Sequence, residues 1–548
     1  MAGYTAHIDS FARDRLPPRQ QWPWLNRQAP DFAFPERLNA GVELLDRTVA
    51  RGLAGRPALR TGHETWSYAR LLDETNRIAN VLRQELGLVP GHRVLLRGTN
   101  APMLAAGWLA VLKAGGIAVP TMPLLRAGEL ALIIEKTQAR LALCERRIAG
   151  ELEAAQGAVP VLERVCCYDG GGESQDELER LMAAQPPDFE AVATAADDIA
   201  VILFTSGTTG RPKGAMHTHG DLLAITRSFP RAVLRPRPED IFIGSPPLAF
   251  AYGLGGLLAF PLRYGASVVL LEPTTADGFL EALHRHRATV CLTAPTAYRA
   301  MLKELSGADG PARRFAALRL CASAGEALTL ATFEAWREAT GLAIVDGIGT
   351  TEMLNHFISA PPEEVRPGAT GKALPGYEAM IVDEAMRPLP DGEVGRLAVR
   401  GPTGCRYLDD ARQRDYVVDG WNLTGDAFRR DADGYFWYAA RTDDMIVSAG
   451  YNIAGPEVEE ALLRHPAVAE CAVVAAADEL RGQIAKAFVV PAVGHAGDAR
   501  LARELQDFVK GCIAPYKYPR AVAFLDALPK TPTGKVQRYL LRQRDGGS

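Results

Sequence analysis

Residues 205–214 read TSGTTGRPKG and follow an apolar run, Ile199 to Phe204, whose length and composition predict a buried strand. Thr205, Ser206, Thr208 and Thr209 supply hydroxyls, and Gly207, Gly210 and Gly214 let the backbone turn its N–H groups toward one point. Lys213 adds a positive charge on a mobile stem. Hydroxyls, amides and one cation around a glycine-rich turn suit a polyphosphate. Neither common nucleotide loop fits. A P-loop ends in Gly-Lys-Ser/Thr, whereas here Pro212 precedes the lysine and Gly214 follows it. The spacing G-x-G-x-x-G is also absent from this loop. The alternative is a surface turn rich in glycine and threonine that binds nothing.

Outward from this loop the text is that of a layered α/β protein. Upstream, a helix is predicted near Tyr68 to Leu86, a strand at Arg93 to Leu96, an apolar helix at Met103 to Ala114 and a strand at Ile117 to Pro120. Residues 1 to 45, rich in proline and aromatic side chains, read as a segment that wraps the body, and Gly170 to Gln175 as a flexible loop. Downstream, strands are predicted at Thr289 to Thr293, Leu318 to Ala322 and Leu342 to Asp346, each followed by a loop and a helix. Ligands collect at the carboxyl ends of such strands, which singles out the loops Ser323 to Ala327 and Gly347 to Asn355. From Tyr377 short strands and a Pro390-Asp391-Gly392 turn predict a β-rich subdomain. A further change near Arg441 leads into helix 456–464, strands 470–476 and 486–491, helix 500–511 and strand 521–525. The expected organisation is a large N-terminal domain, 1–442, and a small α+β domain, 443–548, joined at Asp443.

At 548 residues, the chain is long enough for several lobes, and 47% hydrophobic with 23% charged residues is ordinary globular composition. A net charge of −4 gives no support for a nucleic-acid or membrane-surface partner. Eight cysteines lie scattered, with no C-x-x-C and no zinc spacing, and read as core residues of a reducing compartment. The N-terminus carries charges where a signal peptide needs an apolar core, and no apolar run approaches the roughly 20 residues of a membrane span. A cytoplasmic protein acting on small molecules, as monomer or homodimer, is expected.

Two further stretches carry chemistry. In DGIGTTE, Asp346 to Glu352, glycines 347 and 349 admit a flat ring against the backbone, Thr351 can bond a phosphate oxygen, and Glu352 can hold Mg²⁺. Alone, Gly347-Ile348-Gly349 could equally be a tight turn. In TGD, Thr424 to Asp426, a carboxylate follows a turn, where it can bind a ligand or cap its own backbone.

With RTDDMIVSAGYNI (441–453) and PKTPTGK (529–535), these motifs resemble, in order and over nearly the whole chain, those of the adenylate-forming superfamily: acyl- and aryl-CoA ligases, luciferases and the adenylation domains of peptide synthetases. The resemblance implies that ATP binds through the phosphate loop and through Asp346, Gly347, Ile348, Gly349 and Thr350. Gly325, Glu326 and Ala327 would flank the adenine, Thr351 would contact the α-phosphate and Glu352 the magnesium ion. Asp426 would bind both ribose hydroxyls and Arg441 the ribose and phosphate. Asp443 would be the hinge, Gly450 would border the pantetheine tunnel, and Lys535 would be the catalytic lysine of the first half-reaction. A flexible ammonium there can bridge the carboxylate nucleophile and the charge developing on the α-phosphate. The implied reaction makes an acyl-adenylate with loss of pyrophosphate, then a thioester with loss of AMP. Between the halves the small domain would rotate.

Lys535 lies near the end of the chain, which leads to the expectation of a freestanding enzyme with coenzyme A as acceptor. A separate carrier protein remains an alternative acceptor, and a medium-chain acyl-CoA synthetase or a silent adenylate binder remains an alternative identity. AFAYGLG (249–255) and TEMLNHF (351–357) look like the corresponding stretches of benzoate-CoA ligases, and TAHIDSFARDRLPP (5–18) resembles 2-aminobenzoate-CoA ligases. Phe250, Ala251, Tyr252 and Gly253 would form one wall of an aryl pocket, with Gly325 and residues 353–356, Asn355 and His356 among them, opposite. Benzoate enzymes typically carry His-Ile where Asn355-His356 stands. An amide can donate and accept, so Asn355 is expected to read an ortho-amino or hydroxyl group, unless the change is drift at a pocket rim.

Overall fold

In the computed structural model the described residues are 3–168, 177–205, 212–272, 275–305, 315–326, 328, 330–441, 445–529, 536 and 538–543. Among them the strands form four sheets. The first has six strands, in the order Arg164–Tyr168, Leu141–Glu145, Arg93–Arg97, Ile117–Thr121, Ile199–Thr205, Lys213–Thr218, and only the last pairing is antiparallel. Three of its strands are buried at every residue, as a parallel sheet covered on both faces requires.

The second sheet has nine strands. Six run parallel: Pro57–Arg60, Ser267–Val269, Ile241–Gly244, Val290–Thr293, Leu320–Ser323 and Ile344–Gly349. Antiparallel strands close both edges, Thr65–Ser67 on one side and His356–Ser359 with Lys372–Ala373 on the other. Leu96 and Leu143 of the first sheet share one buried cluster with Phe242, Val268 and Leu292 of the second. The helix Pro102–Lys113 is buried along its whole length.

The β-rich subdomain is an antiparallel meander, Glu378–Val382, Val394–Arg400 and Trp421–Arg430, with Phe436–Arg441 on its far edge. The C-terminal sheet pairs Val468–Asp478 with Gly482–Pro491, to which Ala521–Phe524 adds in parallel. Helices Gly455–Leu463 and Ala499–Cys512 pack on it around a separate core that includes Val458, Leu462, Leu505 and Val509.

Two features depart from the expectation. The glycine-rich turn expected over 205–214 ends in strand: Lys213 opens the strand Lys213–Thr218, in register with Thr205, because Gly214 to Thr218 are buried beside Ile199–Thr205. A hairpin, Met445–Ser448 with Tyr451–Ala454, starts the small domain and turns on Ala449 (φ 51°) and Gly450 (φ 81°). An Ala-Gly turn lacks the asparagine or aspartate that usually marks a two-residue hairpin.

The N-terminal segment wraps as expected. The Ala6 N–H donates to Asp198 (2.9 Å), the Trp24 N–H to the Gly420 carbonyl (2.9 Å) and the Asn26 N–H to that of Gly401 (3.0 Å), which ties the first sheet to the meander. Arg27 and Arg406 both pair with buried Asp221. Burial opposes that carboxylate's charge, but Arg406 and Arg27 outweigh it and hold the pKa at about 2. Asp221 in turn belongs to the capping box, with Thr218, of the helix His219–Arg227.

The small domain docks through charge. The ammonium of Lys517 lies 2.6 Å from Glu129, on the large domain's helix Ala127–Thr137, and 2.7 Å from Glu457. The Ala514 N–H also donates to Glu129 (2.9 Å), and the Arg126 guanidinium to the Lys510 carbonyl (3.1 Å). Burial disfavours the charge on Lys517, yet Tyr516, Glu457 and Glu129 outweigh it and hold the lysine protonated. Burial pushes the Glu457 carboxyl up.

All eight cysteines are free, and all but the half-buried Cys512 are buried. No described helix is long and apolar enough to cross a membrane.

Candidate active site

A cavity of about 660 Å³ opens at the carboxyl ends of four adjacent parallel strands of the nine-stranded sheet. Ile241–Gly244 delivers Ser245 to Pro247, Val290–Thr293 delivers Ala294, Leu320–Ser323 delivers Ala324 to Glu326, and Ile344–Gly349 delivers Thr350 to Glu352. The facing wall comes from elsewhere: Thr205, Pro212 and Lys213, then Thr424 to Asp426, then Val447 and Ala449 to Tyr451 of the small domain. The topology thus gathers stretches more than 200 residues apart, as the strand-end rule requires.

At one end stand the charged groups. Lys213 Nζ lies 3.4 Å from Tyr407 Oη, and that phenol donates to Glu352 Oε1 at 2.6 Å. Tyr407 is placed beside Lys213 because residues 406–408 hydrogen-bond the strand Lys213–Thr218: the Met216 N–H donates to the Arg406 carbonyl (2.8 Å) and the Leu408 N–H to that of Gly214 (2.8 Å). The turn after Gly349 is fixed from behind. His217 Nε2 faces the Thr351 carbonyl at 2.8 Å and so donates; burial keeps the imidazole neutral, with a pKa lowered to about 4. Thr350 Oγ1 accepts from the Met353 N–H (3.1 Å) and meets Tyr416 Oη at 3.2 Å.

Along the middle, Glu326 accepts from Thr296 Oγ1 at 2.8 Å with Arg299 at 3.4 Å, while burial pushes its carboxyl up against both. Asp346 is half-buried on the cavity wall. Burial pushes its pKa up to about 8, only partly offset by the Gly347 N–H and the Thr370 hydroxyl, and its Oδ1 has no hydrogen-bond partner. Asp426 lines the cavity from the strand Trp421–Arg430, opposite Arg441 on the neighbouring strand, and its N–H donates to Thr424 Oγ1 (3.2 Å). Gly425 between them has φ 79°, which favours glycine.

The apolar end is built by Phe250, Ala251, Tyr252, Gly347, Ile348 and His356. Tyr451 of the small domain meets Phe250 edge-on, ring centres 6.3 Å apart. Gly253 does not line the cavity. A Cβ there would lie 2.0 Å from the Pro247 carbonyl oxygen, so it is backbone packing, not a ligand, that demands a glycine. Asn355 is engaged on both sides: its Nδ2 donates to the Ala251 carbonyl (3.1 Å), and its Oδ1 accepts from the His356 N–H (2.9 Å). The expected direct reading of a ring substituent by this amide finds its carbonyl already occupied. Gly450 faces Gly325 across the cavity, a Cβ on Gly325 lying 4.0 Å from the Gly450 Cα.

Ser206, Gly207, Thr208, Thr209, Gly210, Ala327, Asp443 and Lys535 lie outside the described residues, as do Gly170 to Gln175; of Arg441 only the backbone is described. The remaining predicted residues except Gly253, and except Met353 and Leu354, which are buried in the core instead, line the cavity or, for Arg441, flank it on the paired strand. Sequence reading missed Tyr407, Tyr416, His217, Thr296 and Arg299, none of which stands in a motif; the pairing of 406–408 with the strand after the loop is what brings Tyr407 in.

The model of the AMP-binding enzyme family matches residues 45–406, and that of the AMP-binding enzyme C-terminal domain matches 457–535. The chain is 36% identical to a benzoate--CoA ligase of Thauera aromatica, over 94% of this chain and 97% of that protein. Among solved structures it is similar to an anthranilate CoA ligase in complex with anthranoyl-AMP, at 34% identity and a TM-score of 0.72, covering 94% of this chain and 98% of the other. It is also similar to an amide bond synthetase from Marinactinospora thermotolerans, at 27% identity and a TM-score of 0.83, covering 92% and 99%. A nucleotide-sized cavity at the strand ends, with family matches spanning both domains, establishes that the chain belongs to the adenylate-forming superfamily of AMP-binding enzymes and, within it, to the benzoate--CoA ligase family.

Proposed function

We propose that the protein is an ATP-dependent aryl-CoA ligase of the cytoplasm. It activates an aromatic carboxylic acid, 2-aminobenzoate or benzoate, as its acyl-adenylate with release of pyrophosphate. It then forms the CoA thioester with release of AMP. The observation that carries this reading is the layout of one cavity: an aromatic, largely apolar end at Phe250 and Tyr252, a charged end at Lys213 and Glu352, and a glycine turn at Gly450 between domains.

A carboxylic acid is a poor acyl donor because hydroxide leaves badly; a phosphate anion leaves well. The protein's part is to position the acid against the α-phosphate and to stabilise charge. Lys213, held near Tyr407, supplies positive charge toward the phosphates, and Thr351 supplies a hydroxyl. Asp426 accepts the ribose hydroxyls and Asp346 sits by the base. Lys535 bridges the carboxylate and the α-phosphate. No described cluster of three His, Cys, Asp or Glu could hold a metal, so Mg²⁺ would take Glu352 and the nucleotide's own oxygens, which fits an ion that prefers few protein ligands and would neutralise phosphate charge. Rotation of residues 443–548 about Asp443 would exchange Lys535 for the Gly450 turn between the two halves.

Pyrophosphate release measured across substituted benzoates and short fatty acids, with and without CoA, tests the reading. Aromatic acids should give pyrophosphate and AMP, and CoA should be consumed. Formation of ADP and free phosphate, or turnover of fatty acids alone, rejects it.

A further inference from the structure

The apolar end of the cavity hides one unsatisfied acceptor. The His356 backbone N–H donates to Asn355 Oδ1, which fixes the amide so that its oxygen faces His356 while its nitrogen donates to the Ala251 carbonyl. His356 Nδ1 lies 2.7 Å from the same Oδ1 and, facing an acceptor, carries the ring proton. Nε2 is left with a bare lone pair, buried, with no hydrogen-bond partner.

The ring cannot relieve this by moving or by charging. Phe229 stacks on it at 4.0 Å between centres and 11° between planes, and Tyr252 meets it edge-on at 5.3 Å. Burial alone pushes its pKa down to about 3, so it stays neutral. Its Nε2 edge looks toward Gly347, where a Cβ would lie 2.5 Å from Cδ2 and 3.1 Å from Nε2. Glycine at 347 therefore keeps that edge clear of protein side chain, and both residues line the cavity. A buried acceptor left without a donor is unfavourable, and a site built around one discriminates against ligands that cannot satisfy it.

We propose that His356, through Nε2, selects aromatic acids that carry an amino or hydroxyl donor on the ring over acids that carry none, with Asn355 as the positioning residue that sets its tautomer. This deepens the aryl-CoA ligase reading and rests on it. It also moves the recognition of the substituent from Asn355, where the sequence suggested it, to its neighbour.

The test uses pairs of near-equal size, the amino- and methylbenzoates substituted at the ortho, meta or para position, with kcat/KM for pyrophosphate release as readout. The wild-type protein should favour the amino acid at one ring position by about tenfold or more. His356→Ile should abolish that preference while still turning over the methyl partner, and His356→Met serves if the isoleucine variant does not fold. Equal kcat/KM for amino and methyl partners at every position in the wild type overturns the proposal, as does a preference that survives loss of the imidazole. Pyrophosphate release from none of these acids is a different result: it overturns the aryl-acid reading itself and this inference with it.

Discussion

Gly450 of the small domain faces Glu326 of the large one so closely that a Cβ on the glycine would lie 3.7 Å from the carboxylate and 3.5 Å from the Ala294 Cβ. Its φ of 81° is also one that other residues adopt at about 1–2 kcal/mol. Gly450→Leu should fill this passage. Pyrophosphate release should persist near the wild-type rate, while CoA thioester formation should fall about 100-fold, the scale set by displacing a reactant by an ångström. Unimpaired thioester formation would put the thiol's route elsewhere.

Tyr407 ties the two charged residues of the phosphate end together. Tyr407→Phe removes the donor that Glu352 accepts at 2.6 Å and leaves that carboxylate short of a buried partner. On the usual cost of about 1–3 kcal/mol, adenylation should slow about 5- to 150-fold. Thioester formation from preformed acyl-adenylate should be untouched, so single-turnover assays of the two halves separate this effect from misfolding.

Lys535→Ala should slow adenylation about 10²–10³-fold, the scale of losing one transition-state charge contact. Preformed adenylate should still react with CoA. If both halves fail together, the lysine does not serve the first half alone.

The domain contact should respond to pH. Burial raises the Glu457 carboxyl above its ordinary value when the small domain is docked against Glu129. An acid whose pKa is raised in one state favours that state when protonated, so docking should tighten as pH falls and loosen as pH rises through the raised pKa. Fluorescence transfer between labels on the two domains, read from about pH 5 to about pH 9, should show this, and Glu457→Gln should flatten the profile. An identical profile in the variant would assign the titration to another group.

The strands that lead into the cavity are legible in the sequence because each is a short apolar run ending at small or hydroxyl residues: Val290–Thr293, Leu320–Ser323 and Ile344–Gly349 begin one or two residues after the apolar text does. The small domain's two long strands and two helices are legible for the same reason. The hairpin at Met445 is not, since its Ala-Gly turn carries no strong turn signal. Site residues inside motifs, such as Asp426 and Glu352, could be named. Tyr407 and Lys517 could not, because their roles come from partners some 55 and 388 positions away along the chain. His356 is the instructive case: only the hydrogen bonds of Asn355 reveal which nitrogen of its ring is bare.

The burial of the cysteines bears on self-protection. A mixed anhydride acylates any thiolate within reach, yet no cysteine lines the cavity, and burial pushes the thiols of Cys144, Cys166, Cys321 and Cys471 up to about 12 and those of Cys291 and Cys405 well above their ordinary value. These six thiols are thus both away from the cavity wall and held in the neutral form. An activated acyl group waiting there meets no cysteine of the cavity wall that could compete with an incoming thiol.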